Sequence, residues 1–287
     1  MADKLQTITD IHRYMTGMLS RLWPTREARS MASAIITEYS GMSSAEQLAF
    51  GDRMPDEDQK EKMKAAVTRA SKGEPLQYIF GYTTFCGHRI GVMPGVLIPR
   101  PETEEMTCMI IEENKGFKGT ITDLGTGSGC IAIALSLAFP GSTVVAVDNS
   151  PAALKAAEEN IKLNGATVNL KKADIHTLDP ASMPMSDIIV SNPPYVTESE
   201  KSAMHVNVVD HEPHEALFVP DSDPLIYYSR IIAIADRSLT PGGKMWLEVN
   251  ENLADETAGL ADPGTWSVVM VIKDIRGKKR FLKAEKK

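Results

Sequence analysis

The chain has 287 residues, 43% hydrophobic and 24% charged, with a formal net charge of −7, which is enough for a full core and more than one domain of ordinary globular composition. The N-terminal MADKLQTITD has no apolar leader and no stretch is apolar for the roughly 18 residues of a membrane span, while Cys86, Cys108 and Cys130 are too few and too scattered for a disulfide framework, so a reducing cytoplasm is expected. Residues 101–272 carry 25 acidic against 10 basic side chains, a poor surface for neutralising phosphate, and the 8 basic against 2 acidic residues of the last fifteen read as a solvated end.

Three amphipathic helices come first. Ile8, Ile11, Met15, Met18, Leu19 and Leu22 recur at helical spacing. Ala28, Met31, Ala32, Ile35, Ile36 and Tyr39 do the same, as do Met63, Ala66, Val67 and Ala70 after Pro55-Asp56. Residues 1–78 therefore predict a small all-α domain, with methionines as core filler and nothing catalytic. Residues 79–100, IFGYTTFCGHRIGVMPGVLIPR, are β-branched and aromatic with glycine punctuation and predict a β-hairpin linker.

From 101 onward strands and helices alternate. Strands are expected at 120–124, 144–147, 168–173, 188–190 and 244–249, with helices from Gly129, from Pro151 and around 225–238. That alternation predicts a doubly wound parallel α/β sheet for residues 101–287. Two late apolar stretches, 268–273 and 280–283, face each other across Asp274-Ile275-Arg276-Gly277 and predict a closing antiparallel pair.

Chemistry gathers at the predicted strand ends. In TDLGTGSGC, Gly125, Gly127 and Gly129 let backbone approach a ligand, but Cys130 breaks a dinucleotide G-x-G-x-x-G spacing. By itself the loop fits either a ligand cradle or a tight strand-to-helix turn. Asp148 ends the next strand, where a carboxylate can accept from both hydroxyls of a ribose, and Ser150-Pro151 already supplies the helix cap. Asp174, expected at the end of the third strand, can accept from an adenine amine, with Ile175 packing on the base. Together they predict a nucleoside crevice with no pyrophosphate.

Asn192-Pro193-Pro194-Tyr195 ends the fourth strand. Two prolines stop a strand, but that does not explain the amide and the phenol. Methyl transfer to a planar nitrogen does: the Asn192 side-chain oxygen and the Pro193 carbonyl supply two acceptors on a frame fixed by proline, and Tyr195 offers a face for stacking.

The loop DLGTGSG, Asp148 and SNPPYV together resemble the class I S-adenosylmethionine-dependent amino-group methyltransferases. EPLQYIFGYTTFCGHRIGVMPGVLIPRPETEE (74–105), EPHEALF (212–218), LTPGGKMWLEV (239–249) and KDIRGKKRF (273–281) narrow the resemblance to the release factor glutamine methyltransferases. That family methylates the side-chain amide of the glutamine in the Gly-Gly-Gln loop of peptide chain release factors. The resemblance implies a Rossmann-like class I methyltransferase fold, S-adenosyl-L-methionine as cofactor and release factors as partners. No metal, membrane or direct nucleic-acid binding is expected. It assigns Asp123, Leu124, Gly125, Thr126, Gly127, Asp148, Asp174, Ile175 and Asn192 to the cofactor. Asn192, Pro193, Pro194 and Tyr195 go to the glutamine, with Asn192, Pro193 and Tyr195 catalytic, and residues 1–78 to substrate recognition. Val219-Pro220-Asp221 and Val249-Asn250 depart from the family pattern beside the pocket.

Other readings are open at this level. NPPY also occurs in adenine and cytosine amino methyltransferases, against which the acidic body and residues 74–105 weigh. A nicotinamide oxidoreductase would need the missing glycine spacing. A non-catalytic adaptor would not need every strand-end residue in place. Arg100, Glu102, Glu104 and Glu105 suit either cofactor contact or an acid-rich helix start. Asp210, His211, Glu212 and His214 have no zinc-site order and read as a polar loop.

Overall fold

The computed structural model describes residues 6–204 and 206–287, which divide into two units. The first takes in the described residues up to Gly81. Its helices are α1 (Ile8–Leu19), α2 (Thr25–Ser40), α3 (Ser44–Ala49), α4 (Glu57–Ala70) and α5 (Leu76–Phe80). Thr7, Ser43 and Asp56 cap α1, α3 and α4 through reciprocal capping boxes, which satisfies amides that would otherwise lack partners. Ile11, Met15, Ile35, Ile36, Met63 and Val67 form one buried core from the three expected stripes. The helices α3 and α5 were not expected. The first is only six residues long, and the second straddles the expected boundary at residue 78 between the helical domain and the linker, ended by Gly81 in the left-handed conformation (φ 78°).

The second unit begins at Tyr82. A hairpin of β1 (Tyr82–Phe85) and β2 (His88–Gly91) covers only the middle of the expected linker. There follow α6 (Pro101–Glu113), β3 (Thr120–Leu124), α7 (Cys130–Ala138), β4 (Thr143–Asp148), α8 (Pro151–Asn164), β5 (Asn169–Lys172), β6 (Ser186–Ser191) and β7 (Val196–Thr197). The short helix α9 (Val206–His211) groups with the first unit. The second unit then resumes with β8 (Phe218–Val219), α10 (Ile226–Ser238), β9 (Leu239–Glu248), α11 (Ala254–Gly259), β10 (Trp266–Lys273) and β11 (Lys279–Lys286).

The main sheet has seven strands in the order β10-β11-β9-β6-β3-β4-β5. Pairings from β9 to β5 are parallel, and β11 runs antiparallel to β9 and to β10, the expected closing pair. Alternate residues feed two cores. Val145, Val147, Ile189 and Leu247 join one with α10, whereas Val144, Ala146, Ile188, Val190 and Trp246 join the other with α6 and α7. From β3 the chain winds outward through β4 and β5, then returns to place β6 on the other flank of β3. That reversal opens a crevice beyond the carboxyl ends of β3 and β6. The third strand is shorter than expected: β5 stops at Lys172, so Asp174 lies two residues beyond it in a turn. No helix among the described residues is long and apolar enough to cross a membrane.

Candidate active site

The glycine loop leaves β3 and is tied at once to its neighbour. The amides of Gly125 and Thr126 donate to the Val147 carbonyl at 2.8 and 3.0 Å. Gly127 donates its backbone N–H to Asp148 Oδ2 at 2.9 Å, and Ser150 donates to Asp148 Oδ1 at 2.9 Å. Ser150, not Asp148, caps α8 by accepting from Ala153. Each Asp148 oxygen therefore holds one backbone amide and keeps acceptor capacity for a ligand. All three loop glycines are left-handed, and Gly129 is also crowded: it has φ 81°, and a Cβ there would meet the Ala157 Cβ of α8 at 3.2 Å. Asn160 of α8 donates to the carbonyls of Ser128 and Gly91, both at 2.9 Å, and accepts from the Gly91 amide, locking the loop to the end of the hairpin.

Below this loop Asp123 is fully buried and accepts from Thr126 Oγ1 at 2.6 Å. Burial pushes its carboxyl up to about 7; the Thr126 hydrogen bond opposes the rise and the charge of Asp148 adds to it.

The crevice encloses about 350 Å³ and is lined by Gly125, Gly127, Asp148, Ile175, Asn192 and Pro193, among others. That volume lies within the range of small-molecule sites. Asp174 and Pro194 also reach the wall. The buried Asp123, Leu124 and Thr126 lie behind it and shape the loop, and Tyr195 lies off the wall. Asp174 Oδ1 accepts from the His176 amide at 2.8 Å, and Arg230 Nε donates to the Ile175 carbonyl at 2.8 Å, so the turn carrying Ile175 is held from α10. Val96, Leu97 and Tyr227 also line the wall. Sequence reasoning did not find them, since the first two belong to an irregular stretch and Tyr227 is one aromatic among the apolar residues of a helix.

The NPPY segment is braced from three directions. Ser191 Oγ donates to the Leu124 carbonyl at 2.5 Å, joining the ends of β6 and β3. Asn192 Nδ2 donates to Thr103 Oγ1 at 2.9 Å, and Thr103 Oγ1 donates to Glu248 Oε2 at 2.6 Å. The Tyr195 hydroxyl donates to Glu248 Oε1 at 2.9 Å. Glu248, 1% exposed at the end of β9, is held above the usual carboxylate range by burial, against the hydrogen bonds from Thr103 and Tyr195 and the charge of Arg280. Burial and the Glu248 charge push the Tyr195 phenol well up, so it stays protonated as a donor.

The departures from the family pattern have structural partners. Asn250 Nδ2 donates to the Tyr195 carbonyl at 3.1 Å and to Glu200 at 2.9 Å, while Asp221 accepts from the amide and hydroxyl of Ser199. Of the acidic run after Arg100, none lines the crevice. Arg100 pairs with the buried Glu212 at 2.6 Å, Glu104 accepts from the Cys86 amide at 2.7 Å and Glu105 from Ile275 at 3.3 Å.

A parallel sheet reversing at β3, a glycine loop, an acid on the next strand and NPPY on the returning one define a methyltransferase of the class I type. Residues 105–217 match the family described as Methyltransferase small domain, and residues 19–81 that described as PrmC N-terminal domain. The chain is 40% identical over 276 residues to a release factor glutamine methyltransferase of Bacteroides thetaiotaomicron, covering 96% of this chain and 99% of that one. It is 36% identical over 271 residues to the one of Flavobacterium psychrophilum, covering 92% and 94%. The chain belongs to the release factor glutamine methyltransferase family. Among solved structures, the T. thermophilus 16S rRNA N2 G1207 methyltransferase in complex with AdoMet and guanosine superposes with a TM-score of 0.53 at 20% identity, over 72% of this chain and 50% of that one; the likeness is one of fold.

Proposed function

We propose that this protein methylates the side-chain amide nitrogen of the glutamine in the Gly-Gly-Gln motif of peptide chain release factors, with S-adenosyl-L-methionine as methyl donor, in the cytoplasm where translation terminates. The observation that carries the reading is the Asn192 side chain at the crevice wall. Its Nδ2 donates to Thr103, and Oδ1 is its one acceptor atom.

The crevice residues suit the cofactor. Asp148 has an acceptor position on each oxygen for a pair of ribose hydroxyls, the backbone at Gly125 and Gly127 permits close approach, and Ile175 offers an apolar face to a base beside the Asp174 acceptor. When bound, S-adenosyl-L-methionine supplies an electrophilic methyl group on a sulfonium. The protein's part is to present the nitrogen. An amide lone pair is delocalised and a poor nucleophile, and acceptors on both its N–H groups draw electron density toward nitrogen as it pyramidalises. Asn192 Oδ1 and the Pro193 carbonyl fill those roles from a frame that proline holds rigid. Pro194 narrows the approach from the crevice wall, and Tyr195, which lies off that wall, braces the frame through its hydroxyl on Glu248. As the new N–C bond forms, the methyl–sulfur bond would break and leave S-adenosylhomocysteine, the amide would lose one proton to water, and the product would be neutral N-methylglutamine.

The helical unit is assigned to gripping the release factor, and nucleic acid has no part in the reaction. Incubating a release factor with the enzyme and isotope-labelled S-adenosyl-L-methionine, then fragmenting the Gly-Gly-Gln peptide by mass spectrometry, tests the reading. One labelled methyl on the glutamine side chain is expected. Label elsewhere, or none, overturns it.

A further inference from the structure

The buried Glu248 is idle in the mechanism above, although a carboxylate taken out of water is costly unless its oxygens are satisfied. Both are satisfied, and by residues of the site: Oε2 by Thr103 and Oε1 by Tyr195. A threonine hydroxyl has one proton to give. Thr103 gives it to Glu248 at 2.6 Å, so toward Asn192 it can only accept. Asn192 must then turn its NH₂ to Thr103, and its Oδ1 is left for the substrate. The opposite rotamer would set two oxygens against each other at 2.9 Å with no hydrogen between them.

We propose that Thr103 and Glu248 are positioning residues for methyl transfer: the Glu248 carboxylate, which accepts from both Thr103 and Tyr195, fixes the direction of the Thr103 hydroxyl, which fixes the Asn192 amide with its oxygen toward the glutamine nitrogen. The same carboxylate fixes the Tyr195 hydroxyl, so one buried group orients both polar side chains of NPPY. The inference rests on the reading of Asn192 as an acceptor for the substrate amide. Without the relay the amide is free to present NH₂, a donor, to a nitrogen that needs acceptors. The three residues come from the start of α6, the end of β6 and the end of β9, with Thr103 separated from Asn192 by 89 positions and from Glu248 by 145.

Thr103→Val keeps the shape of the side chain and removes the hydroxyl. In single-turnover assays on intact release factor, it is expected to slow methyl transfer by about 10- to 100-fold, the size of effect seen when a partner that orients a reacting group is lost. Cofactor affinity by calorimetry should stay within about twofold, and Thr103→Ser, which retains the relay, should recover the rate to within about threefold of wild type. The deciding measurement is the same substitution in an Asn192→Ala background, where no amide remains to be oriented and Thr103→Val should cost no more than about twofold further. A wild-type rate for Thr103→Val, or an equal loss in both backgrounds, overturns the proposal, since a general loosening of the fold would be additive. Should Thr103→Val not fold, Thr103→Ala carries the same comparison. Failure of the wild-type enzyme to methylate the release factor overturns the proposed function instead.

Discussion

The backbone amide of Gly127 and the carboxylate of Asp148 meet at 2.9 Å, joining the loop after β3 to the end of β4. One carboxylate thus sets the shape of the glycine loop and, on the proposed reading, offers acceptors to the ribose. Asp148→Ala is expected to weaken S-adenosyl-L-methionine binding by about 1.5–3 kcal/mol for each charged hydrogen bond lost, while the unfolding transition stays cooperative. Calorimetric titration measures it; unchanged affinity removes Asp148 from the cofactor site.

Asn192→Ala addresses the other wall. Loss of one preorganised acceptor should slow methyl transfer by about one to three orders of magnitude and leave cofactor affinity nearly as it was. Single-turnover kinetics at saturating cofactor separates the two quantities. A wild-type rate would reduce NPPY to a strand stop.

Asp123 gives a pH signature. Its folded-state carboxyl lies at about 7, against 3.8 for the ordinary group. Between those values the folded state binds the extra proton, so the contribution of Asp123 to stability is fully present below about 3.8 and is lost as pH rises toward 7. Asp123→Asn removes the titration and can still accept from Thr126. Denaturant unfolding at pH 5 and pH 8 should show the variant gaining stability relative to wild type at the higher pH. A difference that is constant across the two would contradict the assignment.

Arg100 and Glu212 form a pair whose acid is 1% exposed and also accepts the Ile98 amide. Arg100→Met leaves that carboxylate uncompensated. The expected destabilisation lies toward the lower end of the about 3–5 kcal/mol for a broken buried pair, because the Arg100 side chain keeps 29% exposure and is partly screened. Chemical denaturation reads it directly. Double replacement Arg100→Met with Glu212→Leu should recover part of the loss.

Removal of residues 1–81 tests the helical unit. S-adenosyl-L-methionine affinity should persist, whereas kcat/KM on intact release factor should fall by about 10²–10⁴, the range over which a second docking surface raises effective concentration. A Gly-Gly-Gln peptide should be an equally poor substrate for both forms. Full activity of the shortened enzyme on intact factor would remove the helical unit from substrate recognition.

Parts whose signal is local are legible in the chain before it folds. The stripes of Ile11, Met15, Ile35 and Ile36 specify helices, the βα alternation specifies a parallel sheet, and glycine loop, Asp148 and NPPY announce themselves by residue type at strand ends. Backbone sterics and side-chain periodicity act over a few residues and can be read there. Boundaries were less legible: helix Leu76–Phe80 runs across the expected domain boundary at 78, and β5 ends before Asp174. Tertiary structure alone decided what depends on strand order. It placed β6 beside β3, with Val190 opposite Asp123, so that two walls met to make a crevice. It also brought Thr103 and Glu248 to Asn192. A threonine in an acid-rich helix start and a glutamate at the end of a strand carry no local mark of that contact, because the direction of a hydrogen bond is settled only when all of its partners are in place.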